Sequence, residues 1–134
     1  MIRGIHHLGL TVRSVDASAA WYEEVLGFRR DGEFENPGGT RRKIFLRHDG
    51  LDVRLGLTQH RGGDQTLFDE TRVGLDHLAF RVVDRRALAA WEERLSAAGV
   101  THSPVAAANS IPGATVLVFR DPDQIQLELF ADPE

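Results

Sequence analysis

The sequence contains no cysteine. This absence excludes thiolate metal sites, disulfide frameworks and cysteine nucleophiles, so any metal ion must be bound by His, Asp or Glu side chains. A chain of 134 residues nevertheless needs no covalent cross-links, because at this size roughly two thirds of the unfolded surface is buried on folding. We therefore expect a compact protein that folds without disulfide bonds.

Long apolar runs and a large excess of one charge are absent as well. No stretch approaches the roughly 18 consecutive apolar residues of a membrane span, and the N-terminal residues lack the pattern of a signal peptide. The formal net charge of -4 disfavours a broad nucleic-acid surface, despite the short basic run of Arg41, Arg42 and Lys43. We expect a cytoplasmic protein that binds neither membranes nor nucleic acid.

An internal repeat organises the chain. The segment H-L-G-L-T-V, which begins at His7, returns as H-L-A-F-R-V at His77, and helical stretches with Trp21 and Trp91 follow the two copies. Both pairs are 70 positions apart (7 to 77 and 21 to 91). The sequence therefore predicts two similar modules, residues 1–60 and 74–134, joined by a polar linker at residues 61–73.

Each module shows the order strand, helix, three strands, which predicts an α+β fold of two βαβββ modules. The predicted helices cover residues 14–27 and 85–98, and a short helical turn is expected at residues 66–70. The predicted strands cover residues 5–12, 28–34, 42–48, 52–60, 75–83, 101–107, 114–120 and 125–130. Because a module of about 60 residues has little core of its own, we expect the modules to pack together or a homodimer to form.

Alternation along the strands predicts which residues share a face. His7, His77 and Glu128 all fall opposite the apolar residues of their strands, so these three are the predicted metal ligands. The same polar surface is predicted to bind substrate through Arg54, Thr58, Arg81 and Gln126. The two arginines favour an anionic substrate. Trp21 and Trp91 are predicted to anchor the helices, and His6 is predicted not to bind metal.

Four motifs resemble the vicinal oxygen chelate superfamily over nearly the whole chain: H-L-G-L-T-V, W-Y-E-E-V-L-G-F, D-H-L-A-F-R-V and F-R-D-P-D-Q-I-Q-L-E-L-F. This superfamily includes glyoxalase I, fosfomycin-resistance enzymes, methylmalonyl-CoA epimerase, extradiol dioxygenases and metal-free bleomycin-binding proteins. The resemblance implies a curled mixed sheet that forms a cup around one divalent metal ion, with the helices outside. Phe45, Phe119 and Asn109 are expected to face the cup.

The resemblance also implies ligands at positions 7, 56, 77 and 128, and residue 56 departs from the pattern. Glyoxalase I has Glu and the epimerase has Gln at this position, whereas Gly56 supplies no ligand. The glyoxalase I reaction is therefore disfavoured, and His60, on the same strand face, becomes the candidate general base. A second departure is Gln124, which replaces the usual glycine and is expected to avoid a positive φ angle.

Two imidazoles and a carboxylate leave open positions for a small substrate that chelates the ion through two oxygens, and Fe, Mn, Ni and Zn all suit such a set. The leading hypothesis is a metalloenzyme of the lyase, isomerase, transferase or dioxygenase type. The alternatives are a metal-free protein that binds a drug or natural product, and a non-catalytic sensor. By resemblance, a homodimer is expected to share sites, with His7 of one chain joining His77 and Glu128 of its partner.

Overall fold

All 134 residues are described in the computed structural model, and they form two compact units, Met1–Thr66 and Leu67–Glu134. The boundary lies inside the linker predicted at residues 61–73. The elements of the first unit are β1 (His7–Thr11), α1 (Val15–Leu26), β2 (Arg29–Glu35), β3 (Arg41–Arg47) and β4 (Arg54–His60). Those of the second are β5 (Leu78–Arg81), α2 (Arg85–Ala97), β6 (Ala106–Ala107), β7 (Thr115–Arg120) and β8 (Gln126–Ala131). The predicted α+β class with two βαβββ modules is confirmed.

Each unit contains one four-stranded mixed sheet. The strand orders are β1-β4-β3-β2 in the first unit and β5-β8-β7-β6 in the second. The first and last strands of each unit are parallel neighbours, and the remaining pairs are antiparallel. The two sheets therefore share one topology, in which the strand that opens a module lies beside the strand that closes it.

Neither helix has the length and apolar character needed to cross a membrane.

Local signals at both ends explain the bounds of α1. The Ser14 hydroxyl caps the start by accepting a hydrogen bond from the Ala17 amide at 3.2 Å, and Gly27 ends the helix in the left-handed conformation at φ 79°. The Gln59 side chain of β4 accepts a hydrogen bond from the Val15 amide at 3.0 Å, which ties the helix start to the sheet.

The core of the first unit lies between α1 and one face of its sheet. The helix buries one face at helical spacing, as predicted for Val15, Ala19, Tyr22 and Leu26. The sheet contributes the alternate apolar residues of the two central strands, Ile44, Leu46, Leu55 and Leu57, all of which are buried. The opposite face of these strands is thereby left for polar side chains.

The core of the second unit is built in the same way around α2, which begins after the Asp84 cap. Leu88 and Leu95 are fully buried, and Trp91 between them is half-buried with its ring 4.6 Å from the Arg94 guanidinium carbon. Phe119 is only 2% exposed and belongs to this core, so its expected place in the cup is wrong. The reason is alternation, since Leu117 and Phe119 share the buried face of β7.

Two predicted elements differ in the structure, because other hydrogen bonds, some of them from side chains, occupy the backbone groups that these elements would have used. The strand predicted at residues 101–107 is reduced to Ala106–Ala107, since Ser103 bonds Val118 through both its amide and its hydroxyl oxygen. The helical turn predicted at residues 66–70 does not form. The Phe68 amide donates to the Asp123 carbonyl at 2.9 Å, and the Asp69 carboxylate accepts from the Thr71 amide at 2.9 Å.

The turn between β7 and β8 also differs from expectation, because Gln124 adopts a positive φ of 66°. Hydrogen bonds within the turn impose this conformation. The Gln124 amide donates to the Asp121 carbonyl at 2.9 Å, and the Asp121 carboxylate accepts from the amides of Asp123 and Ile125, both at 2.9 Å. The surrounding bonds hold a conformation that a residue with a side chain normally avoids.

Substitution Gln124→Gly is therefore expected to raise the free energy of unfolding by about 0.5–1 kcal/mol. The left-handed conformation costs a residue with a side chain roughly 1–2 kcal/mol, and glycine relieves this strain. The greater conformational freedom of glycine in the unfolded chain offsets about 0.4–1 kcal/mol of the gain. Urea denaturation measures the difference. Gln124→Ala is the matched control, since it keeps the strain and should give no gain; an equal gain in both variants would contradict this explanation.

Candidate functional site

The second unit brings His77 and Glu128 together. Glu128 lies on β8 between the buried residues Leu127 and Leu129, and alternation turns its side chain to the opposite face, where it is 16% exposed. His77 directly precedes β5, whose residue Ala79 is paired with Glu128 in the parallel ladder. His77 Nε2 lies 3.7 Å from Glu128 Oε2.

Asp76 holds the His77 ring from the other side. Its carboxylate lies 2.6 Å from His77 Nδ1, so a proton on Nδ1 leaves the Nε2 lone pair directed toward Glu128. The hydrogen bond to Asp76 is the main reason that the pKa of His77 is raised, the charges of Glu128 and Asp76 add to it, and partial burial opposes it. A carboxylate behind an imidazole is a common arrangement around metal-binding histidines.

The spacing of this pair fits a shared metal ion. At 3.7 Å the two atoms are too far apart for a good hydrogen bond. The distance is also less than twice a usual metal–ligand bond of about 2.1 Å, so one ion can bond both atoms. A group of three or more His, Asp or Glu side chains placed to hold a metal ion is not found.

The third predicted ligand, His7, belongs to the first unit, where it opens β1. It is exposed and pairs with Arg54, and its Nδ1 lies 2.9 Å from the Nδ1 of His6. Its place in the module matches that of His77. Gly56 is paired with Gly9, two residues after His7, just as Glu128 is paired with Ala79, two residues after His77. Gly56 is therefore the structural counterpart of Glu128.

The predicted substrate-binding residues of the first unit share the open face of β4. Arg54 forms an ion pair with Asp31 at 3.2 Å, and Thr58 is 8% exposed. His60, the predicted general base, lies at the exposed end of β4, four residues from Gly56. Four residues span roughly 13 Å of strand.

The predicted substrate-binding residues of the second unit both have side-chain partners. Arg81 pairs with Asp132 at 2.8 Å and remains 79% exposed. Gln126 accepts a hydrogen bond at 3.2 Å from Arg120, whose guanidinium also contacts both carboxylate oxygens of Glu70, at 2.7 and 3.1 Å. The Glu70 pair holds the linker against β7 and positions the donor that faces Gln126.

Several partners around these residues were missed in the sequence. Asp76 carries a local signal, because it directly precedes His77, but Asp31 and Glu70 are distant in sequence from the arginines they bind. Phe45 was placed correctly, since it pairs with Gly56 on the open face. Asn109 lies exposed in a bend after β6.

Comparisons with known proteins support a family relationship over nearly the whole chain. The family model of the Glyoxalase/Bleomycin resistance protein/Dioxygenase superfamily matches residues 4–129. A glyoxylase/bleomycin resistance protein/dioxygenase domain from Frankia sp. EAN1pec is similar, with 37% identity, a TM-score of 0.85 and coverage of 98% of this chain and 99% of that one. A glyoxalase family protein from Enterococcus faecalis is 26% identical, with a TM-score of 0.78 and coverage of 96% and 97%.

A more distant neighbour shares the fold alone. The fosfomycin resistance protein FosX from Listeria monocytogenes, in complex with Mn(II) and sulfate, is 20% identical, with a TM-score of 0.71 and coverage of 98% of this chain and 93% of that one. No curated protein matches the sequence.

The ion pair between Glu70 and Arg120 predicts a pH-dependent stability. Hydrogen bonding to Arg120 lowers the pKa of Glu70 below its usual value, so the stabilisation is complete at neutral pH and is lost as the pH falls through the lowered pKa. Glu70→Gln should therefore destabilise the protein at neutral pH, and this effect should shrink as the pH falls below the usual pKa of a glutamate, measured by urea denaturation. Glu93→Gln, on the exposed face of α2, is the control. A Glu70→Gln effect that does not change with pH would contradict this role.

Proposed function

Since the chain belongs to the glyoxalase/bleomycin resistance protein/dioxygenase superfamily, we propose that it is a metal-dependent enzyme acting on a small substrate that chelates one divalent ion through two oxygens. Membership of this family confirms the resemblance found in the sequence motifs. We propose His7, His77 and Glu128 as the ligands. The observation that carries the proposal is the position of the His77 ring between the carboxylates of Asp76, at 2.6 Å, and Glu128, at 3.7 Å.

The donor atoms of this arrangement suit a divalent ion. In the neutral ring, a proton on Nδ1 bonds Asp76 and leaves Nε2 free to bind a metal ion, and because the pKa of His77 is raised, metal binding would displace a proton from the charged ring. Glu128 supplies a charged oxygen, while its neighbours Leu127 and Leu129 anchor the strand in the core. One imidazole nitrogen and one carboxylate oxygen are thus held at 3.7 Å by groups that other contacts keep in place.

The proposed ligand set limits the ion and the chemistry. Imidazole and carboxylate donors suit Fe(II), Mn(II), Ni(II) and Zn(II), and Mn(II) is the first ion to test because the structural neighbour FosX binds it. When bound, such an ion acts as a Lewis acid toward the substrate oxygens. Gly56 offers no carboxylate to abstract a proton, which disfavours the glyoxalase I reaction and favours a lyase, isomerase, transferase or dioxygenase with another base. His60 remains the candidate base.

A second candidate function is a metal-free binding protein for a drug or natural product. The observation that favours it is the absence of three ligand side chains gathered in one place. His77 and Glu128 would then form a polar patch that binds the ligand by hydrogen bonds. The two functions differ in whether a metal ion is retained.

We expect protein loaded with Mn(II), Fe(II), Ni(II) or Zn(II) to retain about one ion per chain with at least one of these metals. His77→Ala and Glu128→Ala should each abolish retention, because each removes a ligand, and Asp76→Asn should weaken it roughly 10–100-fold by releasing the ring of His77. Elemental analysis after removal of free metal gives the stoichiometry, and competition with a chelator gives the affinity.

His48→Ala is the matched control, since the His48 ring accepts a hydrogen bond from the Gly50 amide and is not a proposed ligand, so the metal content should be unchanged. His6→Ala should retain about one ion per chain but bind it more weakly, because His6 Nδ1 contacts His7 Nδ1. If no metal is retained at near one ion per chain, the enzyme proposal fails and the metal-free binding protein stands. If His6→Ala loses the metal while His77→Ala keeps it, the proposed ligand set is wrong.

We further propose a homodimer in which His7 of one chain joins His77 and Glu128 of its partner. Co-expression of His7→Ala and Glu128→Ala chains tests this, because half of the dimers would be mixed and each would contain one intact site. Metal content should then recover to about one ion per four chains. Co-expression that yields dimers without recovered metal would place all three ligands within one chain, and a monomer by light scattering would exclude sharing altogether.

A further inference from the structure

Lys43 is the only lysine among the sixteen Lys and Arg residues of this chain. It lies on β3, where its register partner is Thr58 of β4, and it shares the open face of the first sheet with Phe45. Its side chain is half-buried, and its Nζ lies 5.4 Å from the centre of the Phe45 ring. A lysine is a compact, strongly hydrated charge that arginine does not replace, so its single use at this position is informative.

The surface beside Lys43 is a notch floored by glycine. Phe45 pairs with Gly56 on β4, and Gly56 pairs with Gly9 on β1, so the three residues form one row across three strands. A Cβ atom added at Gly56 would lie 3.7 Å from both Lys43 Cδ and Phe45 Cε1, whereas one added at Gly9 would meet nothing within 4 Å. Lys43 and Phe45 therefore wall one side of the notch, and its floor continues openly over Gly9.

The positive charges around the notch differ in whether a carboxylate lies beside them. Asp31 binds Arg47 through a short hydrogen bond and pairs with Arg54 at 3.2 Å. The hydrogen bond to Arg47 is the main reason that the pKa of Asp31 is lowered, with the positive charges of Arg47, Arg54 and Arg29 acting in the same direction against desolvation. Asp31 is thus ionised and offsets part of the arginine charge. Lys43 has no carboxylate within ion-pair distance, so its charge is available to a ligand.

We propose that Lys43, Phe45 and the Gly56–Gly9 floor form a subsite for an oxyanion attached to a flat apolar group. In this arrangement the Lys43 ammonium binds the oxyanion, a carboxylate or a phosphonate. The apolar group lies over Gly9, beside the edge of the Phe45 ring, where an added Cβ atom would meet nothing within 4 Å. Arg54, whose guanidinium carbon is 6.0 Å from the centre of the same ring, adds positive charge beside the notch.

The subsite deepens the proposed function and rests on it in one respect only, namely that the anion is the substrate. Arg54 and Arg81 were the predicted anion-binding residues, but both already have carboxylate partners in Asp31 and Asp132. Lys43, unlike these two arginines, has no carboxylate partner. Of the proposed metal ligands, only His7 on β1 neighbours the notch, and the notch is formed without it. Anion binding can therefore be measured on metal-free protein.

The single lysine makes a direct test possible. Reductive methylation with ¹³C-formaldehyde keeps the positive charge and labels only Lys43 and the N-terminal amine, which serves as the internal reference. We expect benzoate and phenylphosphonate to shift the Lys43 signal saturably and to leave the N-terminal signal in place. Inorganic phosphate should bind more weakly than phenylphosphonate, because it cannot contact Phe45.

Variants separate the two halves of the subsite. Lys43→Met should weaken both aromatic anions by about tenfold or more in calorimetric titrations, as expected for loss of a hydrogen bond to a charged group. Gly9→Leu places a side chain over the open floor, where its Cβ atom has no neighbour within 4 Å, so it should weaken benzoate and phenylphosphonate but not phosphate. Arg41→Met is the matched control, because it removes an exposed cation from the same strand face two residues away and should weaken binding much less than Lys43→Met does.

Three results would overturn the subsite: an unmoved Lys43 signal, equal losses in Lys43→Met and Arg41→Met, or phosphate binding as tightly as phenylphosphonate.

Metal content distinguishes this failure from failure of the proposed function. Lys43→Met should retain as much metal as the unmodified protein. Anion binding without metal retention would leave the subsite standing and the enzyme proposal rejected, and the reverse pattern would reject only the subsite. A preference for benzoate over phenylphosphonate would identify the oxyanion as a carboxylate, and the opposite preference as a phosphonate.

Discussion

The parallel pairing of the first and last strand decides which side chains meet on one face of each sheet. In the first unit this pairing sets Gly9 beside Gly56, and in the second it sets Ala79 beside Glu128. Leucines at the alternate positions hold the register, because a slip by one residue would turn Leu127 and Leu129 out of the core and Glu128 into it. Packing against the helix thus fixes the polar face indirectly, and the polar residues need contribute little stability of their own.

The same constraint makes the two units comparable position by position, and the comparison is most instructive where they differ. Glu128 is flanked across the ladder by Val118, whereas Gly56 is flanked by Phe45. In the second unit a carboxylate therefore stands beside a small aliphatic side chain. In the first unit an aromatic ring and the lysine stem fill the space beside a glycine. One topology carries an acidic group in one copy and a basic group in the other.

Periodicity and local capping signals in the sequence predicted most of the fold. Ser14 and Gly27 mark the ends of α1 because their signals are local, and alternation placed Phe45 and Glu128 on the open faces. What the sequence could not supply depends on contacts between distant residues. Asp31 and Glu70 find their arginines only after the sheets have formed. Gln124 shows the same limit, since the hydrogen bonds that Asp121 accepts within the turn impose a positive φ that a residue with a side chain normally avoids.

The opposite charges of the two open faces bear on what kind of molecule each can bind. Glu128, with Asp76 behind His77, makes one face favourable to a cation and unfavourable to a free oxyanion. Lys43, not offset by any carboxylate, makes the other favourable to an oxyanion. A substrate that chelates a metal through oxygens carries oxygen atoms rich in electrons, and a cation beside the site would add to its binding. In the proposed subsite, glycine at position 56 places no acidic side chain beside the Lys43 stem, so the positive charge of Lys43 is not offset there and favours an oxyanion.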